Sequence, residues 1–240
     1  MSTTDHAALM DGVYRHQRHI YDLTRKYYLF GRDRLIAEMK ARPGERIVEV
    51  GCGTARNLIR MARLYPETEL FGLDASSAML ETAQSRINRA GFSHRIRLVQ
   101  GYAECLSPAM FGGGRPFDHV VFSYALSMIP DWKQALETAG RALEPGGRLH
   151  LVDFADLSAW PPPLRAALRY WLSLFHVAPR LELLAALAAA SDKCEQYQLL
   201  GGHYAVLCRG APETLLPSVV SVAPRSQPPS KSPLKAPPGP

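Results

Sequence analysis

The clearest chemical signal in the chain is the spacing of Glu49, Gly51 and Gly53, which follow a short β-branched run. Glycines at this spacing let the backbone turn tightly and approach a ligand, because no Cβ stands in the way. A helical pattern starts directly afterwards, and a helix N-terminus offers unpaired N–H groups and partial positive charge to a carboxylate or phosphate. This strand, loop and helix predict the type of site that holds a nucleotide-like cofactor.

The loop departs from the dinucleotide fingerprint G-x-G-x-x-G, because Arg56 stands at the last glycine position. That glycine serves close helix–strand packing, for which arginine is too large. Glu49-x-Gly51-x-Gly53 instead resembles motif I of class I S-adenosylmethionine-dependent methyltransferases, although Ala55 stands where that motif usually has another glycine. A strand–turn–helix without any ligand is the alternative interpretation of the loop taken alone.

A second strand, at 69–74, ends in Asp74 at the distance from the glycine loop that suits an acceptor for ribose hydroxyls. The alternative for Asp74 is a solvated loop acid. Ser76 is placed to cap the next helix, which we expect to run through Arg89.

Further strands are predicted at 96–99 and 117–123, and another after the helix stop at Pro145-Gly146-Gly147. The last two are predicted around the turn Gly201-Gly202. Strands that alternate with helices indicate a parallel sheet covered on both faces, and the resemblance adds a terminal antiparallel hairpin. We therefore predict an α/β fold of the Rossmann-like class I methyltransferase type. It has a seven-stranded, mostly parallel sheet, an antiparallel C-terminal hairpin strand and helices on both faces.

The same resemblance implies that S-adenosylmethionine is bound at the carboxyl ends of the strands and leaves as S-adenosylhomocysteine. The segment 124–130 is expected to face the substrate and the transferred methyl group. The residues expected to bind the cofactor are Tyr14, Glu49, Gly51, Cys52, Gly53, Asn57, Asp74, Ala75, Met79, Gly101, Tyr102, Ala103 and Ser123.

The composition fits one catalytic domain, because 240 residues with 47% hydrophobic content can bury a substantial core. We place that domain at 45–210, after an N-terminal helical lid at 1–44 and before a disordered, proline-rich basic tail at 211–240. The four cysteines lack C-x-x-C spacing, so neither a metal site nor a disulfide framework is expected. We find no signal-peptide core and no apolar stretch long enough to span a bilayer.

The N-terminal segment is predicted to be helical from His6 to about Arg42, with Tyr14, Tyr21 and Tyr28 recurring near one face. These tyrosines either pack on the domain or form a lid over the site. The segment 21–33, with 51–57 and 123–130, resembles the diacylglycerylhomoserine N-methyltransferases of betaine-lipid synthesis (BtaB type). That resemblance implies up to three methyl transfers to a lipid amino group, giving diacylglyceryl-N,N,N-trimethylhomoserine.

A lipid substrate is also favoured by the segment 164–190, where Trp171, Leu172 and Leu174 lie beside Arg165 and Arg169. Aromatic, leucine and arginine side chains together suit a membrane interface, although part of this segment must pack on the sheet. The net charge of +6 fits an anionic membrane surface. No recognised nucleic-acid motif accompanies it, so we expect no nucleic-acid partner. The expected location is cytoplasmic, peripheral on the inner membrane face, where the enzyme that makes diacylglycerylhomoserine is a candidate partner.

Two hypotheses concern the substrate site. Tyr28 and Tyr124 are the candidate catalytic residues, because aromatic faces tolerate the positive charge that grows on nitrogen as methyl groups accumulate. Arg25, Lys26 or Arg180 is the candidate for binding the homoserine carboxylate. Tyr27 and Met128 complete the expected substrate contacts.

Other functions remain open. A phosphatidylethanolamine N-methyltransferase shares the cofactor, the membrane surface and the amine chemistry, and another small-molecule or lipid methyltransferase is also an alternative. A quinone or sterol C-methyltransferase is less favoured, because nothing in the sequence suggests a carbon-acid substrate. A non-catalytic methyltransferase-like partner subunit would not need the intact cofactor loop. A dehydrogenase is disfavoured by Arg56 and the terminal hairpin.

Overall fold

The computed structural model describes residues 29–173, 177 and 179–215. Its strands are β1 (Arg46–Val50), β2 (Glu69–Asp74), β3 (Ile96–Gln100), β4 (Phe117–Ser123), β5 (Leu143–Phe154), β6 (Gln196–Leu200) and β7 (Ala205–Gly210). Its α-helices are α1 (Arg32–Glu38), α2 (Arg56–Leu64), α3 (Ser77–Ala90), α4 (Trp132–Ala142), α5 (Pro162–Ser173), α6 (Leu181–Ala189) and α7 (Pro212–Leu215). Short 3₁₀ turns lie at Ala103–Cys105, Pro108–Phe111 and Ser191–Lys193.

The strands form one seven-stranded sheet in the order β3-β2-β1-β4-β5-β7-β6. The pairs among β1 to β5 are parallel, whereas β7 is antiparallel to both of its neighbours, β5 and β6. This arrangement confirms the predicted Rossmann-like sheet with its antiparallel hairpin. Gly201 and Gly202 make the hairpin turn with positive φ angles of 58° and 65°, a conformation that favours glycine.

Each face of the sheet has its own apolar core. On one face, α2 and α3 contribute Leu58 and Ile87 to a core that also contains Leu172 of α5. On the other face, α4 contributes Leu136 and α6 contributes Leu187. Burial on both faces explains why the central strands read as nearly continuous apolar runs, and it leaves the strand ends as the place where polar groups gather.

Three boundaries differ from the sequence prediction. The predicted helix from His6 to about Arg42 is not continuous over its described part, because a turn at Phe30–Gly31, where Gly31 has a φ of 84°, precedes α1 and α1 ends at Glu38. The helix before β5 ends at Ala142, and β5 already includes Pro145-Gly146-Gly147, where the pairing with β4 shifts register. The domain also extends beyond 210, since Pro212–Leu215 form α7 and Leu215 is fully buried.

None of the helices in the described ranges combines the length and the apolarity that crossing a bilayer requires.

A pair of buried histidines, His119 on β4 and His150 on β5, joins these two strands. His119 Nδ1 lies 2.9 Å from His150 Nε2, and His119 Nε2 lies 2.9 Å from Glu45 Oε2. Burial lowers the pKa of His150 well below its usual range, and His119, Arg209 and Arg148 lower it further. His150 is therefore neutral in the folded protein at neutral pH.

We predict that His150 makes the fold less stable as the pH falls below about 6.5. At such pH values His150 is protonated in the unfolded chain, whereas the buried ring in the folded protein stays neutral. The unfolding midpoint should therefore drop less between neutral and mildly acidic pH in His150→Gln than in the unaltered protein. Thermal unfolding followed by circular dichroism at several pH values measures this difference. Parallel curves for the two proteins would contradict the prediction.

Candidate functional site

The glycine loop between β1 and α2 is shaped by close backbone approach. Gly51 has a φ of 72°, and a Cβ on it would lie 2.8 Å from the Cβ of Ala125. Ala55, the cap residue of α2, has a φ of 60° and a ψ of 24°. This left-handed conformation costs a residue with a Cβ roughly 1–2 kcal/mol, which explains why the related motif usually has glycine there.

Asp74, at the end of β2, ties this loop to the next one. Its Oδ2 accepts a hydrogen bond of 2.7 Å from Gly53 N–H, and its Oδ1 accepts one of 3.0 Å from Ser76 N–H. Ser76 in turn caps α3, as predicted, because its Oγ accepts from Met79 N–H at 3.3 Å. The carboxylate thus stands between the glycine loop and α3, where it faces a crevice.

The crevice lies at the carboxyl ends of β1, β2, β3 and β4. Its floor is the glycine loop, and one wall is the turn after β3, where a Cβ on Gly101 would lie 2.6 Å from Met110 Cε, the flexible end of that side chain. The opposite wall is the segment 124–130. The predicted site residues that line it are Gly51, Gly53, Asp74, Ala75, Met79, Gly101, Tyr102, Ala103, Tyr124 and Met128.

A second cavity of about 300 Å³ adjoins the crevice at the glycine loop. Glu49 lies in its wall with a side chain that is almost fully buried, and Asn57 Nδ2 donates to Glu49 Oε1 at 2.7 Å. No described residue hydrogen-bonds Glu49 Oε2. Burial raises the pKa of Glu49 to about 8. The predicted residues that line this cavity are Glu49, Gly51, Cys52, Gly53, Asn57 and Ser123.

Three sets of hydrogen bonds hold the wall at 124–130. Tyr124 has a φ of 55°, and its hydroxyl donates to the Phe30 carbonyl at 2.6 Å. Asp153 Oδ2 accepts from Ser127 N–H at 3.0 Å. Arg180 donates from Nε to the Leu126 carbonyl at 3.1 Å and from an Nη to the Ile129 carbonyl at 2.7 Å.

These contacts change the interpretation of two predicted residues. Burial raises the pKa of Tyr124 well above its usual range, so its hydroxyl remains protonated at neutral pH. Arg180 lines neither cavity and uses its guanidinium to hold backbone carbonyls. The other predicted residues, Tyr14, Arg25, Lys26, Tyr27 and Tyr28, lie outside the described residues.

Sequence reasoning missed several residues of the site. Arg32 is 8% exposed and lines the cavity beside Glu49, as do Leu29, Thr54 and Arg56. Arginine is rarely buried, so the residue type gave no sign of this position. The only available signal was the inclusion of Arg32 in the resemblance over 21–33.

Comparisons with known proteins point to one class. Residues 47–147 match the family model described as a methyltransferase domain. A demethylmenaquinone methyltransferase of Listeria welshimeri is 32% identical over 141 residues, which cover 57% of each chain. The demethylmenaquinone methyltransferase of Desulfitobacterium hafniense is 27% identical over 202 residues, covering 82% of this chain and 76% of the relative. The chain therefore spans 57% of the length of its Listeria relative and more of the second.

Solved structures share the fold. The YcgJ protein of Bacillus subtilis superposes with a TM-score of 0.54 at 24% identity, covering 71% of this chain and 70% of that one. The S-adenosylmethionine-dependent methyltransferase SibL superposes with a TM-score of 0.60 at 22% identity, covering 80% of this chain and 57% of that one.

The fold is the Rossmann-like methyltransferase fold, and residues 47–147 match a methyltransferase domain, for which S-adenosylmethionine is the implied methyl donor. Within that class, the curated relatives that it resembles are demethylmenaquinone methyltransferases. The expectation that a quinone methyltransferase is less favoured gains no support from them.

We predict that Glu49→Gln binds S-adenosylmethionine at least about tenfold more weakly. The variant loses a charged hydrogen-bond acceptor for the amino group of the cofactor's methionine part. The variant should not be less stable at pH 8. The folded protein keeps the Glu49 proton up to about pH 8, whereas the unfolded chain loses it near 4.5, so Glu49 destabilises the fold progressively as the pH rises between these values.

Isothermal titration calorimetry and thermal unfolding measure the two effects. Glu69→Gln is the matched control, because Glu69 carries the same group on β2 with a side chain that is 58% exposed. Equal affinity of the Glu49→Gln variant and the unaltered protein would remove Glu49 from cofactor binding.

Proposed function

We propose that the protein is an S-adenosylmethionine-dependent N-methyltransferase that methylates the amino group of diacylglycerylhomoserine. Up to three transfers would give the betaine lipid diacylglyceryl-N,N,N-trimethylhomoserine. The observation that carries this proposal is the 2.6 Å hydrogen bond from the Tyr124 hydroxyl to the Phe30 carbonyl. It joins the end of the segment 21–33 to the segment 123–130, and these two segments carry the resemblance to the betaine-lipid enzymes. Of the described residues of these segments, Tyr124 lines the crevice, and Leu29 and Arg32 line the adjoining cavity.

The site fits S-adenosylmethionine. The second oxygen of the buried Glu49 carboxyl has no described hydrogen-bond partner, so it can accept from the amino group of the methionine part. Asp74 can accept from the ribose hydroxyls, and Met79 and Tyr102 line the remaining crevice. When bound, this cofactor supplies an electrophilic methyl group on a sulfonium.

The chain's own residues position the amine and exclude water. Holding a nucleophile in line with a reactive group contributes roughly 7–11 kcal/mol to lowering a barrier. An amine reaches the site after losing its proton to water, so the reaction does not require a strong base. Tyr124 serves as a protonated wall group, which agrees with the raised pKa that its burial causes.

A lipid substrate is supported by the surface near α5. Leu164 and Tyr170 are 56% and 70% exposed, although both are large apolar side chains. Arg165 and Arg169 lie between them in the sequence. Exposed apolar residues beside arginines suit the surface of an anionic membrane, so we propose that the protein works there as a peripheral enzyme.

A second candidate is methylation of a ring carbon of a quinol, favoured by the names of the curated relatives. That reaction needs a group to remove the proton from the ring carbon. An amine carries its own lone pair and needs no such group, and for this reason we rank the amine substrate first.

We predict that the purified protein transfers methyl groups to diacylglycerylhomoserine in mixed vesicles. The vesicles also contain phosphatidylethanolamine and a demethylmenaquinone, and lipid mass spectrometry identifies the products. Methylated homoserine lipid alone is the expected result. Methylation of the ethanolamine lipid or of the quinone instead would replace the proposed substrate with that one.

We predict that Arg180→Met lowers kcat about tenfold or more on homoserine and ethanolamine lipids alike, since displaced reacting groups react more slowly. Arg180 holds the crevice wall, so its loss should not change the preference between the two head groups. The preference should instead fall in neutral variants of Arg25 or Lys26. Arg141→Met on α4, whose side chain is 65% exposed, is the matched control. A selective loss of the homoserine lipid in Arg180→Met would show that Arg180 binds the carboxylate.

A further inference from the structure

A groove of about 640 Å³ lies between α2 and α3. Five arginines line it, with Arg56, Arg60 and Arg63 on α2 and Arg86 and Arg89 on α3. The proposed methyl transfer uses none of them.

Among the described residues, one carboxylate forms ion pairs with two of these arginines. Asp33 pairs with Arg56 at 2.9 Å and with Arg60 at 3.3 Å. Arg89 donates to the Ser85 hydroxyl at 3.1 Å, which leaves its charge in place. No carboxylate is among the described residues that line the groove. Because like charges at helical spacing repel each other, an anionic ligand would stabilise this arrangement.

We propose that the groove between α2 and α3 binds the phosphate head groups of an anionic bilayer. The choice of a bilayer rests on the proposed lipid substrate, and the argument for the groove rests on charge complementarity. A guanidinium matches the oxygens of a phosphate in bidentate fashion. Leu64, a lining residue that is 46% exposed, offers an apolar contact beside these charges.

Two observations favour a bilayer over a nucleic acid. No aromatic side chain is among the described lining residues, so bases would have nothing on which to stack. The groove also shares Arg56 and Arg86 with the cavity beside Glu49. A bilayer held there lies next to the site that must receive a lipid. The helix α5 packs on the same face of the sheet through Leu172, so its exposed Leu164 and Tyr170 belong to the same side of the molecule.

Vesicle sedimentation tests the proposal with the full chain, using phosphatidylglycerol–phosphatidylcholine vesicles that contain neither the homoserine lipid nor S-adenosylmethionine. The test variant is Arg60→Gln/Arg63→Gln/Arg89→Gln, which changes exposed residues that lie outside the cofactor crevice. Its binding should fall by on the order of tenfold or more. The control Arg97→Gln/Lys133→Gln/Arg141→Gln removes the same charge from β3 and α4 and should bind as the unaltered protein does.

Equal losses in the two triple variants would overturn the proposal, since they would indicate attraction by net charge alone. A loss of affinity for single-stranded RNA or inorganic phosphate, with vesicle binding unchanged, would also overturn it. Leu64→Trp gives an independent measurement. Its added fluorescence should shift to shorter wavelength with anionic vesicles and not with phosphatidylcholine alone, and the absence of that shift would contradict lipid contact at the groove.

The failure of this proposal is distinct from failure of the proposed function. Methyl transfer to the homoserine lipid dispersed in neutral detergent does not depend on an anionic bilayer, so the groove variant should retain that activity. Vesicle binding that depends on the groove, without any methyl transfer to the homoserine lipid, would support the groove proposal and contradict the proposed substrate.

Discussion

The site depends on the hydrogen bonds that fix the glycine loop after β1 to the end of β2. Gly51 and Cys52 both donate backbone hydrogen bonds to the Leu73 carbonyl, at 2.8 and 3.1 Å. Gly53 donates to the side chain of Asp74, the next residue. These three bonds require the loop to fold back at Gly51. A side chain at that position would collide with the neighbouring Ala125. With the loop fixed, the crevice, the cavity beside Glu49 and the start of α2 all follow from the same local geometry.

The crevice wall at 124–130 depends on a different kind of support. It is irregular backbone, so its polar groups need partners from outside any strand. Asp153, buried near the end of β5, and Arg180, just before α6, supply them. Burial raises the pKa of Asp153, while hydrogen bonds from backbone and side-chain donors oppose that shift. A wall held in this way keeps a defined shape against the cofactor crevice.

Sequence patterns predicted the parallel strands almost residue by residue, because β-branched runs that end in an acid or glycine have few other interpretations. The described residues that were predicted to bind the cofactor lie together around the crevice and the cavity beside Glu49, since the carboxyl ends of parallel strands meet at one edge. The patterns failed at residues whose position and partners are determined by tertiary contacts. Nothing local indicates that Arg180 would bind carbonyls 51 and 54 residues away, or that Arg32 would be buried beside Glu49. The break at Gly31 was missed because helical periodicity continues on both sides of it. The arginine groove needs two helices side by side, which spacing within one helix does not reveal.

The buried Glu49 carboxyl has a thermodynamic consequence for any cation that enters its cavity. With a pKa of about 8, the group carries its proton for most of the time at neutral pH. An ammonium group placed against it favours the ionised form, so the proton must leave as the cation arrives. Ligand capture at this site is then an exchange of one positive charge for another, with little change in the net charge of the cavity. Part of the measured heat of association would belong to whatever buffer accepts the proton.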